Sequence, residues 1–282
     1  MIESPPASDA LPWTGAVLVA AGAGLVPLSA ALLRHLVAQR QGFFARWGFS
    51  HVALALLGGI GAHLAGGALL PGEGVIFGLN LTLVTLGAVL LVAVWHARRL
   101  TPEGLRAFGF PAELEPEPGA PARRFPTARA VLAGLLAYAV VVPSIAGLER
   151  LWPVLADWLE VPLAENPLLE RILELEGAPL LWALAVCVLV GPLLEELTFR
   201  GFLQPLLVQN FSAKGGVLLT AFLFAALHGA RDFLPLLGLS SLLGFLMLRT
   251  QRLFAPFAVH AAHNALVLLI AFRFPEAREL VQ

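Results

Sequence analysis

The sequence predicts an all-α fold, a polytopic membrane helix bundle of about eight transmembrane helices. Three observations predict it. Of 282 residues, 58% are hydrophobic and only 13% charged, with mean hydropathy +0.82, whereas soluble domains carry about 25% charged residues. The apolar residues gather in runs near 12–33, 51–70, 75–97, 128–148, 179–208, 215–231, 233–250 and 255–272, most of them close to the roughly 20 residues needed to cross about 30 Å of hydrocarbon. Ionisable groups inside the runs are rare, and nearly all fall in the second half of the chain, where such groups mark function rather than packing.

Taken in order, Glu3 and Asp9 precede the first run and no basic residue does, so it reads as a retained span and not a signal peptide. The second span is rich in small residues (Gly58, Gly59, Gly61, Gly66, Gly67), which let membrane helices approach closely. Residues 98–127 carry Pro102, Pro111, Pro116, Pro118, Pro121 and Pro126 among charges and read as a cytoplasmic linker. Residues 149–178 hold an excess of acids with Trp152 and Trp158, a pattern suited to a short amphipathic helix at the outer interface or to a solvated connector. The chain then divides into 1–150, about four N-terminal membrane helices with the linker; 151–178, an extracytoplasmic amphipathic loop; and 179–272, a polar-bearing core. The fifth span, 30 residues long, must tilt, kink near Pro192 or project. Asn210–Gly216 is an evident turn.

Basic residues orient the chain. Arg34, Arg40 and Arg46, then Arg98, Arg99, Arg106, Arg123 and Arg124, share one side with Arg200, Lys214, Arg249 and Arg252, which puts both termini outside. The expected location is integral and multi-pass, in a bacterial inner or plasma membrane. Net charge −1 suggests no nucleic-acid partner. A lone Cys187 excludes an internal disulfide and a cysteine-based zinc site.

The polar groups of the second half are Glu195, Glu196 and Arg200, then His228, then His260, His263 and Asn264. Residues four apart share a helix face, so Glu196 reaches Arg200 and His260 lies beside Asn264. Glu196–Arg200 is expected as a structural ion pair, leaving Glu195, about 100° around the helix, for chemistry. Glu195 and His228 are equidistant from about residue 212 and should stand at similar height in a hairpin. The same count sets His260 about 15 Å lower if all helices are straight. A carboxylate in apolar surroundings is a good general base for water, with a histidine sharing the proton and Asn264 donating to an oxyanion. The alternative is zinc held by Glu195, His228 and His260, with His263 as a further donor. No cofactor is required by the first reading. The roles of His263 and His63 stay open, although a lone histidine such as His63 is more often a packing residue.

Three short patterns stand in order on these apolar segments: Glu195-Glu196-Leu-Thr-Phe-Arg200, Phe224-Ala-Ala-Leu-His228 and His260-Ala-Ala-His-Asn264. Together they resemble the CAAX protease and bacteriocin-processing (Abi) family of intramembrane proteases, over about residues 179–272. The resemblance implies an eight-helix bundle and an endopeptidase using glutamate-activated water. Carried over, Glu195 is the base, His228 its partner, His260 and Asn264 hold the water or oxyanion, and Glu196 and Arg200 support. Family members are described both as metalloproteases and as metal-free glutamate proteases. Their implied substrates are membrane proteins or peptides: prenylated CAAX proteins in eukaryotes, and peptide maturation, immunity or surface sorting in bacteria, including a myxosortase-like branch. Two rivals remain: a non-catalytic peptide-binding or immunity protein of the same fold, and a proton-coupled transporter, which predicts repeats across both halves.

Overall fold

The computed structural model describes residues 47–70, 72–100, 127–163 and 168–274. The expected span 12–33, His35, Arg34, Arg40 and Arg46, the linker residues 101–126 and Glu165 lie outside the described residues. Within them the fold is helical, with no strand. The elements are α1 (Phe49–Leu69), α2 (Gly74–Leu100), α3 (Thr127–Trp158), α4 (Leu168–Leu173), the helical run Gly177–Leu227, α7 (Phe233–Thr250) and α8 (Phe254–Arg273). Six of these are long and apolar enough to cross a membrane: Phe49–Leu69, Gly74–His96, Thr127–Trp158, Gly177–Leu227, Phe233–Thr250 and Phe254–Arg273. Their length and apolar composition are those of membrane-spanning helices. The expected figure of about eight is neither reached nor contradicted by these six.

The run Gly177–Leu227 is not straight. Ser212 has φ 78° and ψ 164°, and the chain reverses there into two legs, α5 (177–211) and α6 (213–227). Phe199 and Phe224, 25 positions apart in sequence, pack edge to face at 5.0 Å, which only a hairpin allows. The legs close tightly because Gly216 has no side chain: a Cβ there would land on the backbone of Val208. Gly216→Val is therefore expected to destabilise the protein by about 1–3 kcal/mol or more through overpacking. Gly61→Ala, where a Cβ meets nothing within 4 Å, should be silent. A shared thermal midpoint for the two variants would contradict this packing.

Inside α5 two π-helical segments, Val186–Val190 and Leu197–Leu203, flank one ordinary turn, Gly191–Glu196. Each ends two residues before a proline, Pro192 or Pro205. Proline lacks an N–H and its ring crowds the preceding turn, so the helix widens ahead of it. The kink expected near Pro192 thus takes the form of a π turn, and a second one follows. π segments recur at functional sites, and these two bracket Glu195 and Glu196.

α3 runs through Trp158 despite Pro143 and Pro153, so residues 149–158, expected in the acidic loop, are helical. Ile145, Trp152 and Ala156 share its buried face, and the Trp152 indole donates to the Ala230 carbonyl at 2.6 Å. That burial offsets the backbone bonds the prolines forgo. Among the described residues, the short α4 interrupts the remainder of that loop, anchored by buried Ile172 against Leu79, Ala183, Val186 and Leu268.

Two cores hold the site. α3, α7 and α8 meet through Ala137, Ile145, Leu239, Leu243, Leu246 and Val259. The α1–α2 pair docks on the lower part of α5 through Val52, Ala55, Val89, Phe202 and Leu206, with the Trp47 indole donating to the Phe202 carbonyl at 2.8 Å. Contacts from Arg200 to Ser240 and from Gln204 to Gly244 keep one offset of 40 residues, so α5 and α7 run parallel in register. Lys214, Arg249 and Arg252 then lie at one end of the bundle. Arg200 does not join them, being fully buried.

Candidate active site

Glu196 and Arg200 are both 0% exposed and pair at 2.9 Å, one helical turn apart. The guanidinium also donates to Ser240 Oγ at 2.6 Å and to the Ser240 carbonyl at 3.2 Å, and it lies 4.8 Å over the Phe224 ring. A buried charge survives only when paired and hydrogen-bonded, and these contacts supply that from α5, α6 and α7 at once. Ser240 carried no signal in the sequence beyond being polar on an apolar helix.

The same Glu196 oxygen that meets Arg200 lies 2.9 Å from His260 Nδ1. A carboxylate accepts, so His260 Nδ1 carries the proton and Nε2 is the ring's variable atom. Nε2 stands 3.6 Å from Glu195 Oε2, beyond hydrogen-bond reach but close enough for one small molecule beside them to touch both. Glu195, 19% exposed, is the more open of the two carboxylates. The pair of glutamates thus divides: one is locked beneath the imidazole, the other faces space.

That space is a cavity of about 1410 Å³ lined mainly by apolar side chains, into which Glu195, His228, His260, His263, Asn264 and Tyr138 all open. His228 caps the end of α6, and its Nδ1 donates to the Phe224 carbonyl at 2.7 Å. That bond places a proton on Nδ1, and in that tautomer Nε2 is an acceptor. The offset of about 15 Å counted for straight helices is not found: the Phe224 ring touches both histidines, 4.3 Å from His228 and 5.7 Å from His260, so the two imidazoles stand closer than that count allowed.

Asn264 is held by a consequence of the first π turn. The Gly191 N–H bonds the Val186 carbonyl, five residues back. The corresponding partner of the Cys187 carbonyl would be Pro192, which has no N–H. Asn264 Nδ2 donates to that orphaned carbonyl at 2.8 Å, tying α8 to α5 and leaving its second N–H. The sequence pointed to Asn264 as an oxyanion donor and did not anticipate this contact.

His263 also lines the cavity, with Nδ1 3.0 Å from the hydroxyl of Tyr138 on α3. Tyr138 was missed, although it is the sole tyrosine of the chain and lies inside an apolar span. His63 stands apart, 3.1 Å from Thr85 Oγ1 between α1 and α2.

The donors named for zinc do not converge. His228 and His260 flank Phe224, and among the described residues no three His, Cys, Asp or Glu side chains could hold one ion. The side chains present therefore do not fit a three-ligand zinc site.

Residues 177–266 match a family model described as Type II CAAX prenyl endopeptidase Rce1-like. The matched segment opens with the first residue of α5, ends within α8, and contains all three motif pieces. It agrees with the CAAX-protease resemblance read from those pieces, and this part of the chain is similar to type II CAAX prenyl endopeptidases. No curated protein and no solved structure matches the chain.

Proposed function

We propose, from the Rce1-like segment 177–266, that the protein hydrolyses a peptide bond of a membrane-associated or lipidated protein or peptide, using water activated by Glu195. The observation that carries this reading is the division of the glutamate pair. Glu196 is spent on Arg200 and His260, while Glu195 opens into an apolar chamber with His260 Nε2 at 3.6 Å.

In this reading a water sits against Glu195, and His228 Nε2 accepts its second hydrogen. Glu195 takes a proton as the water oxygen bonds the scissile carbonyl carbon, and the carbonyl electron pair moves to oxygen. The second N–H of Asn264 donates to that oxyanion, while His260 holds its Nε2 beside Glu195 and the water. Glu195 then returns its proton to the leaving nitrogen as the carbon–nitrogen bond breaks, so the enzyme ends as it began. No step needs a metal. Apolar walls keep bulk water from competing and strengthen each of these hydrogen bonds.

The test compares membrane and secreted proteomes of cells lacking the protein, complemented with wild type or with Glu195→Ala. Precursors are expected to persist with Glu195→Ala and to disappear with wild type, identifying substrate and cut site together. If Glu195→Ala restores all that wild type restores, the protein acts by binding and not by hydrolysis.

A further inference from the structure

The hydrolytic scheme uses Glu195, His228, His260 and Asn264 and leaves one pair in the same chamber without a task. Tyr138 and His263 both open into the cavity, their polar atoms are 3.0 Å apart, and the rings meet edge to face at 5.9 Å and 86°. His263 lies one turn beyond His260 and next to Asn264, so it is carried on the same rigid stretch of α8. Tyr138 comes from α3, outside the matched segment 177–266, and is 7% exposed. We propose that His263 is a substrate-binding residue whose Nε2–H donates to a backbone carbonyl of the substrate beside the scissile bond, with Tyr138 as the positioning residue that fixes its tautomer. This rests on the hydrolytic reading above.

The donor assignment follows from which protons have acceptors. A buried tyrosine hydroxyl places its proton on a partner, and the acceptor within reach of Tyr138 is His263 Nδ1. With Nδ1 accepting, the neutral ring must carry its proton on Nε2. The reverse assignment would leave the hydroxyl proton without an acceptor. Nε2 has no hydrogen-bond partner among the described residues, so its N–H is available to a molecule in the chamber. A peptide fits this demand: every residue flanking the scissile bond offers a carbonyl, and a mostly apolar cavity lining leaves that carbonyl few other donors. Such a contact is made in the bound ground state and in the transition state alike, so it acts on binding more than on turnover.

The test uses the full-length protein in proteoliposomes, with the precursor that accumulates in cells lacking it as substrate. Three variants are read for KM and kcat separately. His263→Phe keeps the ring's bulk and removes the donor. Its kcat/KM should fall about tenfold to a hundredfold, mostly through KM. His263→Gln places an amide N–H near Nε2 and should stay within about threefold of wild type, a rescue that a packing role would not show. Tyr138→Phe frees the tautomer and should raise KM by about fivefold with kcat held. Unchanged kcat/KM in His263→Phe overturns the proposal, as does a loss in kcat alone or a His263→Gln defect equal to that of His263→Phe. Glu195→Gln, assayed beside them, separates the two readings: if it cleaves like wild type, the hydrolytic scheme falls first and the pair's role with it.

Discussion

Glu195→Gln is expected to remove turnover by a factor on the order of 10²–10⁴, the usual contribution of a positioned general base, without loosening the fold. The asymmetry comes from geometry. Glu195 is partly open to the cavity, and His260 Nε2 is 3.6 Å away, beyond hydrogen-bond reach. Glutamine fills the same space and breaks no bond that holds helices together, yet it cannot take a proton from water. Initial rates on the precursor in proteoliposomes give the first quantity, and the thermal midpoint gives the second. Near-normal turnover by a well-folded Glu195→Gln protein would remove Glu195 from the chemistry. A collapsed midpoint would instead show that this carboxylate carries structure.

How much of this was legible beforehand depended on the range of the cause. Apolar runs follow from the hydrocarbon thickness, so the spans at 51–70, 75–97, 233–250 and 255–272 match helices closely. The hairpin was legible because Asn210–Gly216 is turn chemistry: the predicted midpoint near 212 coincides with the break at Ser212. α3 runs past the span expected at 128–148: the acids and tryptophans after residue 149 suggested a separate amphipathic helix or a connector, while burial of Trp152 against the turn before α7 keeps them in the same helix. Pro192 announced a distortion but not its kind. That it becomes a π turn, and that the carbonyl it orphans is met by Asn264, depends on a helix some 70 residues away. The first half read as mere scaffold because Tyr138 acquires meaning only beside His263. Ser240 likewise matters only beside Arg200, and one polar residue on an apolar helix names no partner.

Glu196→Gln should produce the largest loss of stability of any near-isosteric change in the site, about 3–5 kcal/mol, the cost of stripping a counter-charge from a buried ion. Arg200 is fully enclosed, and its other contacts, Ser240 and the face of Phe224, carry no full charge. The glutamine oxygen still accepts from Arg200 and from His260 Nδ1, so shape and hydrogen-bond count are nearly kept and the change isolates charge. Replacing both members, Glu196→Leu with Arg200→Met, should recover much of the stability, because an apolar pair of similar volume has no ions to desolvate. It should not recover activity, since His260 would lose the acceptor that holds Nδ1 and sets Nε2 toward Glu195. Thermal midpoints of the single and double variants, read with their turnover, separate the two contributions. Should Glu196→Gln unfold within about 0.5 kcal/mol of wild type, the range of an ordinary surface substitution, charge pairing is not what keeps Arg200 in the core. A double variant that is both stable and active would show that His260 finds its orientation without Glu196.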